Sequence, residues 1–298
     1  MKRTIYILAG CCKRYAALLL SALIIVPSMS GCQDFLDTES SHFSDNKLDS
    51  PSDTLYSVIG VLYKLQSLSD RTILLGELRG DLADVTDVTS SDLLEIAMFN
   101  VSDNNAYNAP RDYYAVINNC NYFLANVDID MKNNRNEYVF RKEYAVIKAY
   151  RAWTYLQLVL NYGEVPFVTE PILTQEEAER DYPKYGIEEI CEYFINDLQG
   201  LETIEVPGYG TIRNTDSRLF YCPMYVLLGD LNLWAGNYKQ AALCYYNYLN
   251  TRNGVNVGYP LTTSLIQWSR DEINWRSKAL FSSGTNETYT SSSELITM

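Results

Sequence analysis

Between Tyr225 and Tyr245 large and small residues alternate at a spacing that suits two antiparallel helices packed at close range. Tyr225 and Leu228 are followed by Gly229. A turn falls at Gly236-Asn237, and Tyr238, Ala241 and Tyr245 come after it. Residues three and four apart share a helix face, so Gly229 and Ala241 are the low points where two backbones can approach. The spacing predicts one helix from about Asp216 to Ala235 and a second from Tyr238 to Thr251. Such a pair cannot bury its own apolar faces and needs about three stacked copies to be stable. The chain must therefore supply further helices to cover it.

The pattern is that of a tetratricopeptide unit, with Asn232 departing from the usual Tyr. Apolar stripes at helical spacing supply the other elements. Ser50 as N-cap and Pro51 behind it open a helix carrying Leu55, Val58, Ile59, Leu62 and Leu65. Arg111–Asp130 is expected to bury Tyr114, Ile117, Asn121, Leu124 and Val127. Asn136–Asn161 is the longest predicted helix, with Tyr144, Ala145, Lys148, Ala149, Ala152, Leu156 and Val159 as its stripe. Gly163 ends it and Pro166 prevents resumption. Ile187, Ile190, Cys191, Phe194 and Leu198 mark another helix, closed by Gly200. A second, looser helix pair runs from Ala149–Gly163 on to Ile187.

Between these, residues 72–108 read as non-helical apart from a short helix near Asp92–Ala97. Pro171–Tyr185 reads as a polar connection and Pro207–Gly210 as a loop. The expectation is an all-α fold with tetratricopeptide-like pairs and irregular loops. Beyond Thr251 the pattern weakens. Leu265–Lys278 is expected to be a short helix carrying Trp268 and Trp275. Glu294-Leu295-Ile296 reads as the start of an element that is cut off, so a truncated C-terminus is expected.

The N-terminus is an export signal. Lys2, Arg3, Lys13 and Arg14 form a basic region without acids, and the apolar run Ala16–Val26 is about 11 residues long, against roughly 20 for a membrane span. Met29-Ser30-Gly31-Cys32 then places small residues directly before a cysteine, the pattern of a bacterial lipobox. Residues 1–31 are read as a lipoprotein signal, Cys32 as the lipidated first residue, 32–50 as an acidic tether and 51–298 as the folded helical region. Several acyl chains on one cysteine exceed what stable anchoring requires.

Removing the signal takes the net charge from −13 to −17. Nucleic acid would repel such a chain, which excludes it as a partner. Cys120, Cys191, Cys222 and Cys244 sit in apolar helical patterns without metal-ligand spacing and are expected to be small buried side chains. His42 is the lone histidine and lies in the tether, so neither a His-based metal site nor a Ser-His-Asp triad is available to the core. No cofactor is expected. The 25 tyrosines are expected mainly to pack helices together.

Several segments, taken in order, resemble the SusD/RagB family of Bacteroidetes outer-membrane lipoproteins. Gly31-Cys32-Gln33-Asp34-Phe35-Leu36-Asp37 is similar to its lipobox and the acidic stretch behind it. Glu77-Leu78-Arg79-Gly80-Asp81 resembles a segment after its first helix, and Tyr113 to Asn121 a helix with spaced Tyr, Ile and Asn. Glu143 to Pro166, with Arg151-Ala152-Trp153 and Tyr162-Gly163-Glu164-Val165-Pro166, is similar to its best-marked motif. Asp197-Leu198 and Leu231 to Ala242 also fit, so the likeness runs from the signal to about Leu249. It implies a SusD-like helical fold in a non-enzymatic nutrient-uptake protein. That protein is anchored in the outer membrane, faces the cell exterior, and hands an oligosaccharide or peptide ligand to a SusC-like TonB-dependent transporter. Family members are longer than this chain.

Candidate ligand contacts follow from loop chemistry and from that likeness. Tyr107 offers a face for sugar stacking, with the Asn104 and Asn105 amides beside it. Arg79 and Asp81 fall in the region that contributes to the binding face of relatives. The plainer reading makes Arg79 the partner of a nearby carboxylate. Asp81, Asp84 and Asp87 recur every three residues, but no EF-hand pattern surrounds them. Arg151 is expected to cap or pair across helices, with Trp153 packed between them. Two other functions compete: a tetratricopeptide scaffold lipoprotein that binds proteins, and a secreted glycosidase, for which Glu176-Glu177 and Asp84/Asp87 would have to face one sugar bond.

Overall fold

The computed structural model describes residues 48, 50–80, 83–212 and 215–254. The lipobox, His42, Asp81 and everything after Gly254, including the expected helix at Leu265–Lys278, lie outside the described residues. The described part is a succession of packed helices with two minimal hairpins, so the all-α expectation holds.

Helix α1 (Pro51–Gln66) begins as expected. The Ser50 hydroxyl accepts the Asp53 N–H at 3.1 Å, Pro51 occupies the first turn, where no N–H is needed, and Lys64 sits near the negative end of the helix. Helix α2 (Ser69–Glu77) is a correction, because this stretch was read as non-helical. Its apolar residues find partners only in the tertiary structure: Leu75 and Leu78 bury against Ile96 of α3 (Ser91–Ala97), forming a small cluster apart from the main core. Helix α3 itself lies where expected.

Helix α4 (Pro110–Asn126) is shorter than predicted and turned by one position. Tyr113, Val116, Ile117, Cys120 and Phe123 are buried, while Tyr114 and Leu124 are only partly covered. It stops because Val127 is extended and residue Leu48 bridges to it, the Leu48 N–H donating to Asn126 O at 3.1 Å. Helix α5 (Arg141–Tyr162) starts five residues late. Asn136 has a φ of 62°, inside a turn in which the Asn133 carboxamide oxygen accepts the Arg135 and Glu137 N–H groups. It ends at Gly163, whose φ of 75° most side chains avoid. Twelve of its residues are buried, so it is the central helix and not a one-sided stripe.

A two-residue strand β1 (Val165–Pro166) pairs antiparallel with β2 (Lys184–Tyr185), with the short helix α6 (Gln175–Ala178) between them. Thr174 and Glu177 form a reciprocal capping box there, so Glu177 is a structural acid, and its pKa is lowered by the Leu173 and Thr174 N–H groups. Helix α7 (Ile187–Leu198) matches its predicted bounds. Strands β3 (Thr211–Ile212) and β4 (Thr215–Asp216) form a second hairpin, followed by a 3₁₀ turn at Ser217–Phe220.

The predicted helix from Asp216 begins only at α8 (Met224–Trp234). Pro223 is the reason: it cannot continue a helix begun before it, and it serves as the N-cap of the one that follows. Helix α9 (Tyr238–Gly254) completes the pair. Helices α1, α4, α5, α7, α8 and α9 pack on one another in chain order, and α5 against α7 is the looser predicted pair. At the tight pair, a Cβ on Gly229 would clash with the edge of the Tyr245 ring, whose hydroxyl donates to Asp230 Oδ1 at 2.6 Å.

Tyrosine packs the core. Tyr155 meets Phe167 and Phe194 at ring separations of 5.1 and 5.5 Å, and its hydroxyl is satisfied by both the Val168 N–H and Val168 O. Arg151 pairs across helices as expected. Its guanidinium reaches Asp197 Oδ2 at 3.1 Å and the Asn121 carboxamide at 3.1 Å, while Lys148 takes the other Asp197 oxygen at 2.7 Å. Trp153 is partly buried against the same core, and the four described cysteines are unpaired thiols. No helix among the described residues is long and apolar enough to cross a membrane.

Candidate functional site

The loop after α3 is built around one carboxylate. Glu95 Oε2 accepts from the Ser102 N–H (3.0 Å), the Ser102 hydroxyl (2.8 Å) and the Asn105 amide (2.9 Å). These bonds, the Asn105 amide first, hold the Glu95 pKa below its ordinary value. The Asn105 amide also donates to Asp92 O at 2.9 Å, and its carbonyl oxygen accepts the Tyr107 N–H at 3.0 Å. Asn105 is 4% exposed with both ends of its amide committed, so it pins the loop and offers nothing to a ligand. Tyr107 is half-buried on the Leu75/Leu78/Ile96 cluster, its ring turned to packing. Asn104 is exposed on the same loop.

What the pinned loop does present is Met98 and Phe99, 70% and 71% exposed, with Phe99 at a φ of 56°. A bulky residue in the left-handed region is strained and persists only where its surroundings impose it. Neighbouring bonds do so here: Phe99 N–H donates to Ile96 O, and Asn100 N–H to Glu95 O. The Asn-rich loop was legible as a place for an aromatic; which aromatic stands out was not.

Arg79, just past the end of α2, lines a cavity of about 120 Å³ together with Leu75, Val101, Asn108, Asn161 and Tyr162. Three elements meet there: the end of α2, the pinned loop and the last turn of α5. Among the described residues no carboxylate pairs with Arg79; Asp81, the nearest acid in sequence, lies outside them. The Tyr162 hydroxyl is buried without a hydrogen-bond partner. Burial raises its pKa, opposed by the nearby Ala109 backbone N–H and by the Arg71 and Arg79 charges. Tyr113, edge-on to Tyr162 with ring centres 6.0 Å apart, likewise has an unpartnered hydroxyl, its pKa pushed up by burial to about 12.

Of the sequence candidates, the structure thus brings Arg79 to a cavity and sets Asn105 and Tyr107 in the scaffold. Sequence reasoning missed Asn108, Asn161 and Tyr162. A signal was present, because Asn108 belongs to the same Asn-rich segment and Tyr162 opens the Tyr162–Pro166 motif. A second concavity of about 430 Å³ lies at Lys142, Glu205, Gly208, Gly210 and Thr211, where Lys142 is already bound to Glu205 at 2.8 Å.

Helix pairs stacked in chain order define a helical-repeat fold. The particular architecture is the SusD-like one. A SusD superfamily protein from Bacteroides thetaiotaomicron superposes with a TM-score of 0.56 at 20% identity, over 72% of this chain and 50% of that one. Another from Bacteroides vulgatus gives 0.55 at 15% identity, over 71% and 49%. The chain therefore spans about half the length of the solved structures it matches. No protein-family model and no curated protein matches the sequence.

Proposed function

We propose that the protein is a lipid-anchored capture protein of the outer-membrane surface. It binds glycans and delivers them, without turnover, to a SusC-like TonB-dependent transporter. The observation that carries the reading is the cavity at Arg79, Asn108, Asn161 and Tyr162, together with the exposed Phe99 on the loop that supplies Asn108, within a SusD-like fold. Sugars are recognised by planar hydrogen-bonding groups and by an aromatic face on which a ring can stack. Each hydrogen bond to a sugar replaces one to water and nets about 0.5–1.5 kcal/mol. Capture of a neutral chain would accordingly be weak and would depend on stacking. The lipobox at Cys32 and the likeness of the signal and tether to SusD/RagB lipoproteins support the anchor and the transporter.

The scaffold reading keeps one observation in its favour, since Leu233, Trp234, Leu243 and Tyr246 of the α8–α9 pair are exposed. One experiment separates the two. Detergent-solubilised membranes should yield the protein together with a TonB-dependent transporter, and glycans incubated with it should be retained and recovered uncleaved. Recovery with other proteins and no glycan retention would favour the scaffold, and released products would favour the glycosidase.

A further inference from the structure

Among the described residues, four cationic side chains are at least partly withdrawn from solvent: Arg71, Arg79, Lys148 and Arg151. Three are neutralised. Arg71 bonds Asp112, while Lys148 and Arg151 share Asp197. Arg79 has no ion pair and no side-chain hydrogen bond with any described residue, in a chain that holds 37 acids against 24 bases. Withdrawing a charge from water is costly unless an opposite charge or hydrogen bonds compensate it. With acids this abundant, an uncompensated guanidinium facing a cavity points to an anion supplied from outside.

The neighbours define which anion. A guanidinium is a planar fork matched to a carboxylate. The Tyr162 hydroxyl, buried and unpartnered at the same cavity, is a second donor. The two asparagines hold capacity in reserve. Asn161 spends its amide N–H on Gln157 O at 2.8 Å, and the Asn108 amide has only a 3.4 Å contact to Ser102 O. Their carbonyl oxygens have no partner among the described residues and can accept from hydroxyl groups. Leu75 and Val101 close the apolar side. At about 120 Å³ the space is below the ~300–1,000 Å³ of pockets that enclose a whole small molecule, so it takes one group of a larger ligand.

We propose that the Arg79 cavity is a subsite for the carboxylate of an acidic sugar residue, with Arg79 and Tyr162 donating to the carboxylate and Asn108 and Asn161 accepting from ring hydroxyls. The inference rests on the glycan-capture reading and narrows it to glycans that carry uronic-acid-type residues.

The test uses the full chain, purified in detergent. Binding is measured by calorimetry for oligosaccharides of galacturonic acid and of glucuronic acid, each against its carboxyl-reduced neutral counterpart. At least one acidic form should bind more tightly than its reduced form by roughly ten- to a hundredfold, the weight of one charge-assisted hydrogen bond. Arg79→Gln should erase that preference, Arg79→Lys should keep part of it, and Tyr162→Phe should reduce it while leaving the fold intact by thermal melting. Equal binding of acidic and neutral forms, unchanged by Arg79→Gln, overturns the subsite and leaves glycan capture standing. Binding of no glycan overturns both. Arg79-dependent binding of acidic peptides in place of sugars overturns the ligand class.

Discussion

At the residue scale, the two kinds of ion pair in this molecule should behave very differently. Asp197 sits between Lys148 and Arg151, and the side chains of Asp197 and Arg151 are 15% and 5% exposed. Asp197→Ala would leave both cations without their acid, a loss expected to cost about 3–5 kcal/mol. Lys142–Glu205 is exposed on both sides, so Glu205→Ala should cost about 0–1 kcal/mol. Denaturant midpoints at neutral pH check both, and equal shifts would show that the Asp197 cluster is not the buried tie between α5 and α7. That Arg151 would pair across helices was legible from a charged residue in the middle of an apolar stripe. That its acid would be Asp197, 46 residues on, was not, because separation along the chain carries no register between two helices.

At the scale of elements, the α8–α9 pair and the pinned loop each make a prediction. Gly229→Leu would drive a side chain into Tyr245, and overpacking of this kind costs roughly 1–3 kcal/mol. A melting temperature unchanged by the substitution would break the assignment of the pair. The loop depends on an ionised Glu95. The folded-state pKa of Glu95 is lowered, so its contribution is present above the unfolded value and is lost as pH falls through the folded one. Hydrogen exchange at the Ser102 and Asn105 amides, corrected for intrinsic rates, should therefore lose protection in acid while the α5 amides keep theirs. In Glu95→Gln that acid-specific loss should be absent. Helix boundaries divide in the same way. Ser50, Gly163 and Gly200 announced ends in the sequence, and Pro223 announced a start that the helical stripe obscured. The stop at Asn126 and the late start of α5 came from a bridge to Leu48 and a left-handed Asn136, contacts that periodicity does not record.

At the scale of the whole molecule, the proposed anchor at Cys32 would set where the proposed capture takes place. Cys32→Ala should leave the protein soluble or unprocessed and abolish fatty-acid labelling. Labelling that survives the substitution would refute the anchor. Periodicity, glycine and proline placement and the Gly229/Ala241 spacing determined by themselves that the described part is helical and that its last pair is tightly packed. These are local properties, since each depends on residues within a few turns of one another. The cavity is different in kind. Arg79, Asn108 and Tyr162 belong to three elements that meet only when α2 folds back on α5, and α2 owes its helix to Leu75 and Leu78 finding Ile96. Sequence chemistry named Asn105 and Tyr107 because amides and aromatics bind sugars wherever they are free. Tertiary structure committed both to the scaffold and left Arg79 without an acid among the described residues, because only the folded chain decides which polar groups are spent on one another.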